Sequence, residues 1–375
     1  MQPRIVYVVT EDWYFWSHRL DLARQARDAG YAVAVATRTT AHRERMAAEG
    51  FEIVEMPFER SLRHPARDVA AVFALAFALR RLGPDVVHLV SLKPMLLAGL
   101  AILFMRRTRF VHAVTGMGYL FSSSDRGARG IQRILVTALR VILARRNCHV
   151  IAQNADDCAL LESHGLGSAA RRTLIAGSGV DVVRYAPTTL PAEDVVVLPA
   201  RLIRDKGIEE FVAAARLLRA RGVAARLALV GGTDPDNPAA IPEREVEAWV
   251  DEGAIEWWGQ REDMPAVYAQ ATIVCLPSYR EGLPKVLLEA AACARPLVST
   301  DVPGCREICR PGVSGVLVPA RDAAALASAL AGLIADPARR ATLGAGGRAL
   351  VELEFSSARI AAETLALYAR LRGAA

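Results

Sequence analysis

No two of the six cysteines in this 375-residue sequence are spaced as CxxC. Positions 148, 158, 275, 293, 305 and 309 also lack the regular spacing of a disulfide framework. Structural thiols in a reducing, intracellular setting are the expectation, and a zinc site is not. A secretory leader is not expected either. The opening MQPRIVYVVTED holds an apolar run that ends after Val9, too short for the apolar region of a signal peptide and followed by no small-residue cleavage site. Long apolar runs are scarce. The window VVHLVSLKPMLLAGLAILFM (86–105) nearly reaches the length of a bilayer span but is interrupted by Lys93-Pro94. A strand over 86–90, a turn and a buried helix over 95–105 explain it better, so the chain is expected to be soluble or peripheral. No GxGxxG follows the first strand, where the sequence reads VVTEDWYFWSHR, and this disfavours a nicotinamide enzyme.

What is present is an apolar chain with 23% charged residues, long enough for two cores. Its charge is uneven. Residues 1–187 carry 25 Lys and Arg against 16 Asp and Glu, whereas the remainder carries 21 against 24. The net of +6 is modest and no nucleic-acid motif accompanies it, so nucleic acid is not the expected partner. The basic first half is expected to meet something anionic.

Short β-rich runs alternate with helical patterns throughout. Strands are predicted at 4–9, 32–37, 51–56, 85–90, 109–114 and 148–153, with helices between them at 17–29, 66–82, 95–105 and 130–145. Near-continuous apolar strands alternating with helices imply a parallel sheet covered on both faces. The text changes at APTTLPAED (186–194), which sets a domain boundary between 187 and 188. A second alternation follows, with strands at 195–200, 226–232, 254–259, 272–277 and 296–300 and helices at 207–221, 263–271 and 284–293. A last amphipathic helix spans 356–373 and is expected to pack back on the first domain. The expected architecture is α/β. Two Rossmann-like, doubly wound domains (1–187 and 188–355) face across a cleft, and ligands bind at the carboxyl ends of the strands.

The informative residues of the second half stand just after strands. ARLIRDKGIEEF places Arg201 and Lys206 before a helix opening at Gly207, where two cations and free backbone N–H groups suit a diphosphate. The alternative is a solvated loop that happens to be basic. Gly231-Gly232, in LVGGT, allow close approach of backbone to a ligand. Asp234 and Asp236 form a DxD pair, but in the Pro/Asn-rich TDPDNPAA they read as turn residues. In SYREGLPKVLLEAAA (278–292), Glu281 is expected in a loop at the strand end, Pro284 in the first turn of a helix, and Glu289 two turns further along it. Backbone N–H groups near Gly282 and Leu283 can bind oxygen-rich ligands, and a carboxylate accepts two hydrogen bonds from the neighbouring hydroxyls of a sugar or ribose. The competing reading makes Glu281 a surface residue and Glu289 one half of a helix ion pair.

EGLPKVLLE resembles the E-x7-E motif of retaining glycosyltransferases of family 4, which have the GT-B fold. ARLIRDKG, LVGG, the long run WWGQREDMPAVYAQATIVCLPSYREGLPKVLLEAAACARPLVSTDVPGCREI and GVSGVLVP are similar to the same family's second domain. TEDWYFWSHRLDLA, VHLVSLKPML and VTGMGYLF in the first half resemble its capsule and O-antigen branch, which extends sugars linked to polyprenyl diphosphate. The resemblance implies that Arg201 and Lys206 bind the donor diphosphate. It gives Glu281, with the backbone from Gly282 through Leu283 and Pro284 to Lys285, the donor sugar. Glu289 would take the ribose hydroxyls, and the backbone near Arg261 the nucleobase. It implies no cofactor and no metal, with a nucleotide diphosphate sugar (a UDP-sugar foremost) as donor. The acceptor is then a lipid-linked saccharide met at the cytoplasmic face of the membrane. No oligomeric state follows.

Two positions depart from the family pattern. Thr115-Gly116 replaces a usual His-Gly pair, leaving His112, on the opposite face of its strand, and His18 as the nearby histidines. His18, Lys93, Thr115 and Gly116 are the acceptor-side candidates. Ala294 stands where glycine is usual. For membrane contact, the helical stretch 125–147 offers Ile131, Leu135, Ala138 and Ile142 as one apolar face, with Arg133, Arg140, Arg145 and Arg146 for headgroups. Two other functions compete with sugar transfer: a nucleotide-sugar 2-epimerase, which would turn over donor with no acceptor, and an inactive nucleotide-sugar-binding partner of a transferase.

Overall fold

A computed structural model of the chain describes residues 2–59, 65–115, 126–235 and 237–373. It forms two compact units, one of residues 1–178 with 357–375 and one of 179–356. The first is built on seven parallel strands: β1 (Arg4–Glu11), β2 (Ala32–Arg38), β3 (Glu52–Glu55), β4 (Val86–Val90), β5 (Arg109–Ala113), β6 (Cys148–Ala152) and β7 (Arg172–Leu174). Their order in the sheet is β3-β2-β1-β4-β5-β6-β7. The second holds β8 (Val195–Pro199), β9 (Arg226–Val230), β10 (Glu256–Trp257), β11 (Ile273–Leu276), β12 (Leu297–Thr300) and β13 (Gly315–Val318) in the order β10-β9-β8-β11-β12-β13. Both are Rossmann-like. β4, β6, β8 and β11 are buried along their whole length, as their largely apolar sequences, broken only by His88 and His149, require of strands covered on both faces.

The break between the units falls between Ser178 and Gly179, ahead of the expected 187/188. Residues 180–187 pack on the second unit. The Val180 N–H donates to the Phe355 carbonyl at 2.9 Å, and Arg348 Nη1 donates to the carbonyls of Val182 (3.0 Å) and Tyr185 (2.8 Å). The final helix, Ser357–Gly373, returns to the first unit and packs on the helix Leu20–Asp28. There Tyr368 is fully buried, with its hydroxyl 2.6 Å from His88 Nδ1.

Several helices differ from the sequence pattern. The expected helix 17–29 is two pieces, Asp12–His18 and Leu20–Asp28, separated at Arg19. The expected helix 95–105 is likewise Leu92–Leu97 and Gly99–Phe104. Among the described residues no helix is long and apolar enough to cross a membrane. The helix Arg126–Leu143 does not present the anticipated apolar face. Ile142 lies 3.4 Å from where a side chain on Gly99 would begin and packs on the core, and Leu135 and Ala138 are half-buried. Ile134 and Val141 point outward instead, alongside Arg133 and Arg140. The side chain of Ile131 lies outside the described residues.

Three histidines are buried in the first sheet. Burial pushes the imidazoles of His88, His112 and His149 down, to about 3 for His112 and about 4 for His149. His112 sits in register between Leu89 and Val150, and neither of its ring nitrogens has a hydrogen-bond partner. The fold therefore holds it neutral, while the unfolded chain takes up a proton near pH 6.5. Because the folded value is the lower one, this part of the stability is full above about pH 6.5 and is lost as pH falls towards the folded value. We expect His112→Leu to melt at or above the wild-type temperature at pH 7 and to lose less stability between pH 6.5 and 4. Thermal unfolding across that range tests it, and a variant clearly less stable at pH 7 would show that the ring makes a needed contact.

Candidate active site

The second sheet changes its winding direction between β8 and β11, the place where a doubly wound sheet leaves its strands' carboxyl ends uncovered by a crossover. Four loops meet along this edge. Arg201 follows β8, Gly231 follows β9, Arg261 follows β10 and Glu281 follows β11.

Backbone contact presses the β8 and β11 loops together. Gly207 ends the short turn Arg204–Lys206 at a φ of 69°, and a side chain there would begin 2.1 Å from the Pro277 carbonyl oxygen. The Asp205 carbonyl accepts from the Tyr279 N–H (2.9 Å), with the Ser278 hydroxyl oxygen 3.2 Å away, while Asp205 Oδ2 lies 2.5 Å from Arg280 Nη2. These contacts bring Lys206 Nζ to 2.5 Å from Glu281 Oε1, which also accepts from the Ser278 hydroxyl at 2.6 Å. Glu281 thus does not project free from its loop. It is 11% exposed and its partner lysine 19%, so the pair is largely withdrawn from water yet reachable from the crevice.

Glu289 is held differently. The helix Lys285–Ala292 starts after Pro284, which occupies the capping position ahead of the first turn, and Glu289 is buried on the inner side of that helix. Its Oε1 accepts from the Tyr185 hydroxyl and its Oε2 from the Tyr268 hydroxyl, each at 2.9 Å. Lys285 Nζ is 3.6 Å from Oε1. Burial first, and then the Glu289 charge, raise both phenols, which keeps them protonated and donating. A carboxylate has about four lone-pair sites, so one per oxygen remains open to a ligand hydroxyl. No sequence pattern pointed to Tyr185 or Tyr268, which are remote from Glu289 along the chain.

Arg201 is half-exposed and ion-paired with Asp234, whose carboxylate is buried. The Asp234 carbonyl accepts from the Asn237 N–H at 2.8 Å in the following turn; Asp236 lies outside the described residues. Gly231 is required by the protein itself. A side chain there would begin 1.8 Å from the Ala200 carbonyl oxygen, and the Gly232 carbonyl accepts from the Leu202 N–H at 3.0 Å. The two glycines thus let β9 close on β8. Arg261 is exposed. Leu283 is half-buried between Gly282 and Pro284. Ala294 adopts a φ of 55°, so this departure from glycine is accommodated as backbone strain in the turn after the Glu289 helix.

In the first unit, His18, Lys93 and Thr115 follow β1, β4 and β5, three neighbours in the sheet. Each is engaged or partly covered. The His18 ring stacks on Tyr14 at 4.1 Å, with Nδ1 2.6 Å from the Ser17 hydroxyl. Lys93 Nζ is 2.7 Å from Asp68. Thr115 is half-buried, and Gly116 lies outside the described residues.

Residues 17–184 match the model of Glycosyltransferase Family 4, and residues 193–336 match that of Glycosyl transferases group 1. The chain belongs to the family 4, group 1 glycosyltransferases. The transferase is 24% identical, over 94% of its length and 95% of the relative's, to the N,N'-diacetylbacillosaminyl-diphospho-undecaprenol alpha-1,3-N-acetylgalactosaminyltransferase of Campylobacter jejuni. Its fold is that of the sucrose-phosphate synthase of Thermosynechococcus elongatus, at a TM-score of 0.83 and 24% identity over 100% of both chains. Anabaena HepE, solved with UDP and glucose, superposes at 0.78 and 20% identity over 96% of the transferase and 99% of HepE.

The glycine joining the two loops offers a direct test. Gly207→Ala should destabilise the transferase by about 3 kcal/mol or more, since a left-handed alanine costs roughly 1–2 kcal/mol before any clash with Pro277. Gly222→Ala, at a φ of 72° with nothing within 4 Å, should show the backbone cost alone. Urea denaturation of both variants measures the difference, and equal losses would mean that the β8 and β11 loops are not in contact.

Proposed function

We propose that this glycosyltransferase moves a hexosyl or N-acetylhexosaminyl unit from a nucleotide diphosphate sugar to a saccharide carried on polyprenyl diphosphate, with retention at the anomeric carbon. The observation that carries the reading is the half-buried Lys206–Glu281 pair at the switch point, with Arg201 earlier in the same loop after β8. A diphosphate arriving there takes over the lysine and arginine as counter-ions. This frees the Glu281 carboxylate to accept from hydroxyls of the sugar, and Glu289, already oriented by two tyrosines, offers its open lone pairs to the ribose. The identity of the Campylobacter relative, named for transfer to a diphospho-undecaprenol-linked sugar, supports a lipid-linked acceptor. The site of action is then the cytoplasmic membrane face, in assembly of a surface glycan.

In the reaction the anomeric C–O bond to the diphosphate breaks, with its electron pair passing to phosphate oxygen. The acceptor hydroxyl attacks the anomeric carbon from the same face, and its proton goes to the departing phosphate. Arg201 and Lys206 stabilise the negative charge that grows on the leaving group, so their effect is greatest in the transition state. With two cations in this role, no divalent metal is called for.

The carboxylates are assigned separable roles. Glu281→Gln should lower turnover by about a hundredfold while nucleotide sugar still raises the melting temperature. Glu289→Ala should mainly weaken donor binding, by about 1–3 kcal/mol, seen as loss of that thermal shift across a panel of UDP-, GDP- and dTDP-sugars. Wild-type kinetics in both variants would refute the assignment, and donor turnover without acceptor would favour the epimerase. EDTA should leave transfer nearly unchanged. Activity lost on chelation and restored by Mn²⁺ or Mg²⁺ would instead make Asp234 and Asp236 metal ligands.

A further inference from the structure

The first unit is asymmetric in what its two helical layers show to solvent. On one face of the sheet lie the helices Asp12–His18, Leu20–Asp28 and Ser357–Gly373, with five Lys and Arg against four Asp and Glu in their sequences. On the other lie Pro65–Leu82, Gly99–Phe104 and Arg126–Leu143, whose inner sides fill a single core with Leu75, Leu79, Ile102, Leu139 and Leu143. Pro65–Leu82 packs against Gly99–Phe104, and Gly99 in turn faces Ile142. The outward sides of these three helices therefore form one continuous surface.

That surface is apolar where an ordinary helix is polar. Val69, Phe73 and Phe77 recur every four residues along one side of Pro65–Leu82, and the two phenylalanines are 62% and 71% exposed. Leu103 and Phe104 continue the patch on the neighbouring helix, where Phe104 is 75% exposed, and Ile134 and Val141 do so on the third. A helix apolar on both sides is expected inside a protein or against lipid, not facing water. On these three helices and the residues that end them the charges are nearly all of one sign, while the neighbouring helix Ala155–Ser163 of the same layer adds the exposed Asp156 and Glu162. Over 65–82, 92–107 and 126–146 the sequence has twelve Lys and Arg and one acidic residue, Asp68, which is already bound to Lys93. Arg80, Arg81, Arg106 and Arg107 stand exposed at the ends of the helices that carry the phenylalanines.

We infer that this outer three-helix face docks the transferase on an anionic lipid bilayer, with Phe73, Phe77 and Phe104 entering the acyl boundary and the arginines meeting phosphate headgroups. Charge complementarity selects the occupant. A second copy of the chain would bring the same dense positive field against itself, whereas a protein partner would have to be both apolar and strongly acidic. The Lys93–Asp68 ion pair ties the first turn of Pro65–Leu82 to the helix Leu92–Leu97, which follows β4 and carries one of the acceptor-side candidates. Docking thus deepens the proposed transfer to a lipid-linked acceptor and rests on it for its biological purpose, although not for its measurement.

The test is sedimentation of the full chain with vesicles in the absence of substrates. Binding to vesicles of phosphatidylcholine with phosphatidylglycerol is expected, falling on vesicles of phosphatidylcholine alone and at high salt. Phe73→Ser with Phe77→Ser should lower the partition coefficient at least about tenfold. Arg106→Gln with Arg107→Gln should lower it by about fivefold per arginine. The side chains are exposed, so melting temperatures should match wild type, and transfer to a water-soluble acceptor analogue should persist. Vesicle binding without any transfer would leave the docking face standing and remove the proposed reaction. Wild-type sedimentation of the phenylalanine variant would overturn the inference. Equal binding to neutral vesicles would overturn the anionic choice. If light scattering showed that the variant separates a dimer while still binding vesicles, the face would be a contact between copies of the chain.

Discussion

Each unit depends on one topological constraint. In a parallel sheet, two neighbouring strands whose crossovers wind in opposite directions leave a gap at their carboxyl ends that no crossover covers. β8 and β11 are such a pair in the second unit, and β1 and β4 in the first. Residues placed directly after these strands converge without any need for a long organising loop. In the second unit the convergence is fastened by backbone: Gly207 against Pro277, and the Asp205 carbonyl accepting from the Tyr279 N–H. Because those contacts are between main chains, the relative position of Lys206 and Glu281 is set by the sheet and not by side-chain flexibility.

The electrostatics follow from that placement. The candidate-site charges Lys206 and Arg201 each have a partner, Glu281 and Asp234, while Glu289 rests on two hydroxyls with Lys285 close by. A charge withdrawn from water without compensation would be costly, so pairing is what permits two cations and two carboxylates to share one crevice. Glu289 is an exception in kind. Neutral tyrosines orient its carboxylate, and the Lys285 ammonium stands 3.6 Å from Oε1.

The first unit uses charge on a longer scale. Its two helical layers share a sheet and comparable cores, yet in one of them three helices, Pro65–Leu82, Gly99–Phe104 and Arg126–Leu143, carry almost only basic charge together with exposed apolar side chains. Burial of the inner side accounts for Leu75, Leu79 and Leu139 but places no demand on Phe73 or Phe77, which lie on the opposite side of the same helix. Folding alone gives no reason for those two rings, whereas adsorption to lipid does.

The sequence by itself determined the alternation of strands and helices, because apolar continuity and periodicity are local properties that tertiary packing here reinforces. It also determined which residues stand at strand ends, and hence Arg201, Lys206, Glu281 and the helix carrying Glu289. The short strands β7 and β13 escaped it, as three or four residues carry too little pattern. Tertiary structure alone decided the rest. Lys206 meets Glu281 across 75 positions, and Tyr185 meets Glu289 across 104, since nothing local encodes which distant groups a sheet brings together. Gly231 looked like room for a ligand and proved to be room for Ala200. Along Arg126–Leu143 apolar residues occur on more than one side, so composition could not say which of them the core would take. Packing buried Leu139 and Leu143 and left Ile134 and Val141 outside, because a helix turns its best-fitting side to the sheet and only the sheet's own contour defines that fit.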